Sequence, residues 1–354
     1  MNPRIDIDLK KLNHNAKIVV EKSKPFGIDV AAVTKGFCAY PEIAEVIAAA
    51  GIKYLADSRV ENLKKMQHIK LKKILLRLPM ISQVEDVVNY ADISLNSEIE
   101  TIQALNNAAL KNNKIHKIIL MVDLGDLREG IFDEVELETV IKAIIDLKNI
   151  DLVGIGTNLT CFGGVIPTKE NLSQLLASAK KIEELTGKPL DIISGGNSSS
   201  FYLVDNSEIL PQINHLRFGE AILLGVESTY GRIIPESYQD TFQLVAEIIE
   251  IKTKPSVPIG EIGRDAFGNV PTFEEKGIMK RAILAVGKQD LSTHPITPVD
   301  TEAEVLGGSS DHLIIDITHC NKDYKVGDEM VFQLSYGAML GLMTSEYVYK
   351  NFIR

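Results

Sequence analysis

The sequence predicts an α/β protein, a (β/α)8 TIM-type barrel followed by a mostly β C-terminal domain. Apolar, β-branched runs alternate with amphipathic helical stretches through the first two thirds of the chain, the pattern of parallel strands covered by helices. Eight such units in roughly 200 residues fit a closed barrel better than an open doubly wound sheet. After about residue 230 the long helical stretches give way to strands separated by Gly, Pro and Asp turns.

In chain order, RIDIDL (4–9) reads as a strand outside the barrel count that can pair with the C-terminal domain. The barrel strands are DVAAVTK (29–35), KYLADS (53–58), KILLRL (73–78), ISLN (93–96), KIILMVD (117–123), LVGIGTN (152–158), LDIISGG (190–196) and HLRFGEAILLG (215–225). Between them, 41–51 and 169–187 read as helices. The second places Leu172, Leu175, Leu176, Ala179, Ile182 and Leu185 at helical spacing and stops at Gly187, a C-cap residue. Later strands are expected at 241–255, 281–288, 310–320 and 328–337. The expected division is an N-terminal strand (1–10), a barrel (11–230) and a C-terminal β-domain (231–354).

With 45% hydrophobic and 24% charged residues, the 354-residue chain has the balance of a soluble globular protein. A net charge of −10 without a dense basic patch argues against a nucleic-acid partner. No run approaches the ~18 apolar residues of a membrane span. The opening MNPRIDIDLKKLNHNAK lacks the apolar core of a secretory signal. Cys38, Cys161 and Cys320 form neither a CxxC pair nor a metal-spaced cluster. The expectation is a cytoplasmic protein with free thiols, no membrane or nucleic-acid partner and no metal.

In a barrel of this kind the C-terminal rim of the strands carries the chemistry. Lys35 ends the first barrel strand and is followed by a glycine, poised either to form an imine in the mouth or to reach water. In SGGNSSSF (194–201), Gly195 and Gly196 permit close backbone approach, while Asn197, Ser198, Ser199 and Ser200 offer donors. That segment is either a phosphate cradle or a polar loop. Arg217 puts a guanidinium in an apolar strand and needs an acceptor, either an ion-pair partner or a cofactor ring nitrogen. Arg128 has Asp123, Asp126 and Glu129 nearby, which allows local salt bridges or a rim arginine holding a phenolate or carboxylate. Lys288, Asp290 and His294 cluster in VGKQDLSTH, and Tyr336 stands in LSYGA as a core or ligand-facing hydroxyl.

The segments AVTKGFCAYPEIAEVI, LADSRVEN, DLGDLREG, GGNSSS, RFGEAILLG and LSYGAMLGLMTS, in that order and across essentially the whole chain, resemble the alanine racemase family of fold type III, and within it the ornithine racemase branch. The resemblance implies pyridoxal 5'-phosphate as cofactor, an amino acid as substrate and a homodimer with active sites at the interface. It makes Lys35 the cofactor-bearing lysine and one of two bases acting on the α-proton. Arg217 faces the pyridine nitrogen; Asn197, Ser198, Gly219, Glu220 and Tyr336 hold the phosphate; Arg128 meets the phenolic oxygen. Ser310 and Asp311 form the loop lent to the substrate carboxylate. The sequence departs from the family pattern at Met121, where a modified lysine often stands, and at Asn158, where a histidine packs on the ring. It departs again at Lys288, where the second catalytic base is a tyrosine; Lys288 and its neighbours His294 and Asp290 are the candidates for that role. Ornithine is the expected substrate, with alanine, lysine or several amino acids as alternatives. A fold-related decarboxylase and a non-enzymatic cofactor carrier are the rival classes.

Overall fold

The computed structural model describes residues 1–291 and 295–354. It divides into two compact units, Lys10–Gln239 and a discontinuous one made of Met1–Leu9 with Asp240–Arg354.

The chain opens with β1 (Arg4–Asp8), a strand of the discontinuous unit, and α1 (Leu9–Ser23). Eight parallel strands then close on themselves: β2 (Asp29–Val33), β3 (Tyr54–Asp57), β4 (Lys72–Leu75), β5 (Ile93–Asn96), β6 (His116–Met121), β7 (Ile150–Gly156), β8 (Ile192–Ser194) and β9 (His215–Phe218). Closure is the β2–β9 pairing, which runs from Asp29↔His215 to Ala32↔Phe218. Between strands lie α2 (Pro41–Ala48), α3 (Val60–Lys65), α4 (Val84–Tyr90), α5 (Ile99–Lys111), α6 (Glu134–Ile145) and α7 (Lys169–Thr186). The last two crossovers are short, α8 (Phe201–Asp205) and α9 (Glu220–Leu223).

Local chemistry accounts for these boundaries. Thr168 and Asn171 form a reciprocal capping box at the start of α7, and Gly187 ends it with φ +68°. The helical period of α7 buries Leu172, Leu175, Ala179 and Ile182. Ala31, Ala56, Ile74, Ile93, Leu95, Ile119, Met121, Val153 and Ile192 pack into one core cluster, and each large aliphatic so buried contributes about 1.5–3 kcal/mol. Met121 is fully buried in that cluster as an apolar filler.

The expected strand 215–225 is only half a strand. β9 ends at Phe218 and the chain turns at Gly219 into α9. Ala221, Ile222 and Leu223 are all buried, and one helical turn is too short to show a period.

The discontinuous unit holds β10 (Phe242–Pro255), β11 (Ile278–Leu284), α10 (Lys288–Leu291), β12 (Ile296–Pro298), β13 (Glu304–Gly308), β14 (Leu313–Asp316), β15 (Glu329–Leu334), α11 (Tyr336–Thr344) and β16 (Tyr349–Ile353). Its sheet runs β12-β15-β10-β11-β14-β13, and β1 lies between β10, antiparallel, and β16, parallel. The strand expected at 328–337 stops at Leu334, because the Ser335 side chain accepts from the Ala338 amide and starts α11. The strand expected at 281–288 lies earlier, at Ile278–Leu284.

The units divide at Gln239 rather than near residue 230. Val226 and Ile233 form a β-bridge. The Asn15 amide of α1 donates to the Ile222 and Tyr238 carbonyls and accepts from the Tyr238 amide. These bonds keep the stretch up to Gln239 with the barrel.

Candidate active site

Lys35 follows β2 on a single 3-10 turn, Lys35–Phe37, at the C-terminal mouth of the barrel, and is half-buried. Two consecutive non-glycine residues after it, Cys38 and Ala39, both adopt φ +51°. Left-handed backbone at such residues costs energy and is held only where surrounding contacts demand it.

Arg217 lies on β9 beside Ala31 of β2 and is 3% exposed. Its Nη1 donates to Ser194 Oγ at 2.7 Å and its Nη2 to the Thr157 carbonyl at 2.8 Å. Both acceptors are neutral, so the ion-pair reading of this residue is not what the described residues form. Burial pulls its pKa down to about 10, against the attraction of Glu129 and the Cys161 thiol, with Arg128 adding repulsion. Ser194 Oγ also lies 2.9 Å from His215 Nδ1. Burial, helped by the Arg217 charge, lowers the His215 pKa to about 3, so this ring is neutral at ordinary pH.

Asn158 and Asn197 join the next two rim segments. Asn197 Nδ2 donates to Asn158 Oδ1 and to the Leu159 carbonyl, 3.0 Å each, while Asn197 Oδ1 accepts from the Ser199 amide. With its oxygen so committed, the Asn158 amide points a buried Nδ2 at no partner. Thr157 Oγ1 and Asn96 Oδ1, also at strand C-termini, are buried and unpartnered as well. Three of the five such atoms among the described residues therefore cluster at the barrel mouth. Buried polar groups are normally satisfied, so this cluster points to a polar ligand.

Ser198 Oγ accepts from the Gly219 and Ala221 amides, 3.2 Å each, which orients its own proton outward. Glu220, between them, turns its carboxylate to Ser228 Oγ at 2.8 Å. Burial raises its pKa and the Ser228 bond opposes that. Gly196 has φ +118°, and a Cβ there would come within 2.6 Å of Ser200 Oγ, so this turn requires glycine.

On the β6–α6 loop, Arg128 is paired through Nε and Nη2 with Glu129. Burial lowers its pKa, but the Glu129 bond and charge outweigh that and the net shift is upward. Asp126 takes no part in that pair. Its fully buried carboxylate accepts from the backbone amides of Thr160, Gly163, Val165 and Phe162 at 2.9, 3.1, 3.1 and 3.0 Å. It thereby ties the Arg128 loop to the loop that follows Asn158.

The remaining candidates lie in the discontinuous unit. The Lys288 and Gln289 amides donate to the Ser309 and Ser310 carbonyls at 2.9 Å. Gly287 is packed so tightly on this loop that a Cβ would meet Ser310 O at 2.4 Å. Lys288, Ser310 and Asp311 are therefore neighbours, with Lys288 Nζ 4.5 Å from the centre of the Phe267 ring. Asp290 is buried and accepts from Ser345 Oγ at 2.6 Å, which makes it a tie to the end of α11. Tyr336 is half-buried in the first turn of α11. His294 lies outside the described residues.

Sequence reasoning did not single out Asp57, Thr157 or Ser194, and named Asp126 only as a possible salt-bridge neighbour of Arg128. Asp57 carries the same signal as Lys35, a charge closing an apolar strand in KYLADS. The roles of the other three become visible only through the bonds they make.

The model of the alanine racemase N-terminal domain matches residues 7–226. The chain is 50% identical over 353 residues to an ornithine racemase of Acetoanaerobium sticklandii, with 100% of each chain covered. It is 41% identical over 350 residues to a lysine racemase of Thermotoga maritima, with 98% of each covered. Among solved structures it resembles alanine racemase from Bartonella henselae with covalently bound pyridoxal phosphate, at a TM-score of 0.74, 19% identity and full coverage of both chains. On the match of its barrel and its full-length relatives, the chain belongs to the alanine racemase family.

Proposed function

We propose that this protein is a pyridoxal-phosphate-dependent amino-acid racemase, with ornithine as its principal substrate. The observation that carries the reading is Arg217, a buried guanidinium met only by neutral acceptors beside the strand that leads to Lys35. Such a charge needs an electron-rich partner from outside the chain, and a pyridine nitrogen is one. The unpartnered Asn158 amide and the outward Ser198 hydroxyl fit the same ligand.

Lys35 would hold the cofactor through its Nζ. Ser198 and the Glu220 backbone would take its phosphate, with Asn197 and Gly219 holding that cradle in place and Tyr336 as a further ligand. Arg128 would face the phenolic oxygen and Asn158 the ring. When bound, the cofactor supplies an electron sink for the charge left at Cα. Arg217 keeps its proton, so the ring nitrogen it faces stays unprotonated and side reactions are restrained. Lys35 moves the Cα proton on one face and Lys288 on the other, because one fixed group cannot serve both faces. Ser310 and Asp311 orient the substrate carboxylate. A homodimer in which each subunit completes the other's site, working in the cytoplasm, belongs to the same proposal.

The ornithine assignment is supported by the relative at 50% identity and lysine by the one at 41%. The test measures racemisation and α-deuterium exchange on ornithine, lysine, arginine, alanine and serine, with Lys35→Ala as control. Ornithine should show the highest kcat/KM and Lys35→Ala no turnover. Fast turnover of alanine or lysine with none of ornithine would overturn the substrate assignment, and carbon dioxide release would indicate a decarboxylase.

A further inference from the structure

The segment LADSRVEN contributes no group to the site described above, yet it contains a fully buried carboxylate next to Lys35. Asp57 ends β3, and its Oδ2 accepts from Thr34 Oγ1 at 2.6 Å. Its Oδ1 accepts from the Arg59 amide at 2.8 Å and from Asn62 Nδ2 at 3.1 Å. Thr34 is the residue immediately before Lys35, and both Thr34 and Asp57 are 0% exposed. On the far side of the turn, Lys65 Nζ donates to the Cys38 carbonyl at 3.2 Å and to Asn62 Oδ1 at 3.1 Å. The two ends of the turn that presents Lys35 are thus tied to one side-chain chain, Thr34–Asp57–Asn62–Lys65–Cys38. At and just past the second tie stand Cys38 and Ala39 in the left-handed conformation, a shape that needs such constraint.

Asp57 forms no ion pair among the described residues; its three partners are neutral donors. The cationic charge that acts on it is Lys35.

We propose that Asp57 is a positioning residue for Lys35, fixing the turn that presents it through Thr34 at one end and through Asn62 and Lys65 at the other. This rests on Lys35 being the cofactor lysine. Burial raises the Asp57 carboxyl above the usual range, while its bonds to Thr34, Arg59 and Asn62 and the Lys35 charge oppose that. The other titratable groups on the turn, α2 and α3 with its N-cap are Cys38, Tyr40, Glu42, Glu45, Arg59, Glu61, Lys64 and Lys65. None of them is altered in the variants below.

The test follows attachment of pyridoxal phosphate to the cofactor-free full chain. Samples are trapped with borohydride and the modified lysine is quantified by peptide mass across a pH series. Asp57→Ala removes the acceptor of all three bonds and should slow attachment about tenfold at every pH, while Asp57→Asn keeps an acceptor for Thr34 and should restore most of the rate. Thr34→Val leaves Asp57 in place and cuts the tie to the turn, so it should likewise slow attachment about tenfold. Wild-type attachment in Asp57→Ala or in Thr34→Val, or no recovery in Asp57→Asn, overturns the proposal. Lys35→Ala separates the two readings. If it still traps cofactor at full stoichiometry on another lysine, the assignment of Lys35 is what fails.

Discussion

Replacing Asp126 with alanine should release the loop that follows Asn158 while leaving the barrel folded. In the native chain one carboxylate accepts four backbone amides, those of Thr160, Phe162, Gly163 and Val165. A hydrogen bond to a charged group is worth about 1.5–3 kcal/mol net, but Cys161, Phe162 and Gly163 are exposed and water can replace part of it. Taking about 1 kcal/mol per bond gives about 4 kcal/mol for the loop, or roughly a 10³-fold increase in its opening. Amide hydrogen exchange reads this residue by residue. In Asp126→Ala the four amides should lose about three orders of magnitude of protection together, with the barrel strands unaffected. Asp126→Asn gives a finer pattern. Its remaining oxygen can keep the three bonds made by Oδ1, while its NH2 meets the Phe162 amide, so Phe162 alone should exchange much faster. Cofactor affinity should fall in both variants, since Arg128 and Asn158 stand on the two loops that Asp126 joins. If the four amides exchange rapidly in the wild type, or stay protected in Asp126→Ala, the clamp does not exist.

Acid should destabilise the fold through its buried histidines. Burial lowers His215 to about 3 and His116 to about 4, so the folded state stays neutral where the unfolded state, at about 6.5, takes up protons. Stability is therefore full above the unfolded value and lost as pH falls from about 6.5 toward 4. Each ring costs about 2 kcal/mol between pH 7 and 5; urea unfolding at the two pH values should show the slope shrink by that amount in His116→Gln. Arg217→Met should leave the cofactor-free protein as stable as wild type or up to about 3 kcal/mol more stable, because a buried charge without a counter-ion is removed. The same variant should bind cofactor at least tenfold more weakly, so thermal unfolding with and without cofactor should move in opposite senses. Lys288→Ala should exchange the α-proton of one enantiomer only; normal racemisation of both would remove Lys288 from the mechanism.

Much of the architecture was legible because strand and helix periods differ, and the barrel strands carry their apolar runs in order. The exceptions have a common cause. HLRFGEAILLG and DEMVFQLSYG each run from a strand into a helix across a break of only two or three residues, and Ala221–Leu223 and the following Ala338–Met339 are as buried as the strands before them. Lys35, Asn197, Ser198 and Arg217 were legible as polar residues out of place on apolar strands or rim loops. Asp126 looked like a partner for Arg128, but backbone amides distant in sequence claim it, and neither composition nor spacing encodes that choice. Thr157 and Ser194 were silent because small hydroxyl residues are common at strand ends.

The parallel pairing of β1 with β16 bears on how the molecule is made. Arg4–Asp8 lies hydrogen-bonded beside Tyr349–Ile353, with the barrel contained in the sequence between them. During synthesis the barrel residues emerge together and can begin to pack while the first strand still lacks its neighbours. That strand has to wait for both β10 and β16, which follow the whole barrel in the sequence. Contacts of such long sequence separation form slowly. The nascent chain therefore carries an unpaired, half-apolar strand while the whole barrel is made, and a chain truncated before Tyr349 would expose one edge of that strand permanently, an invitation to pair with another molecule.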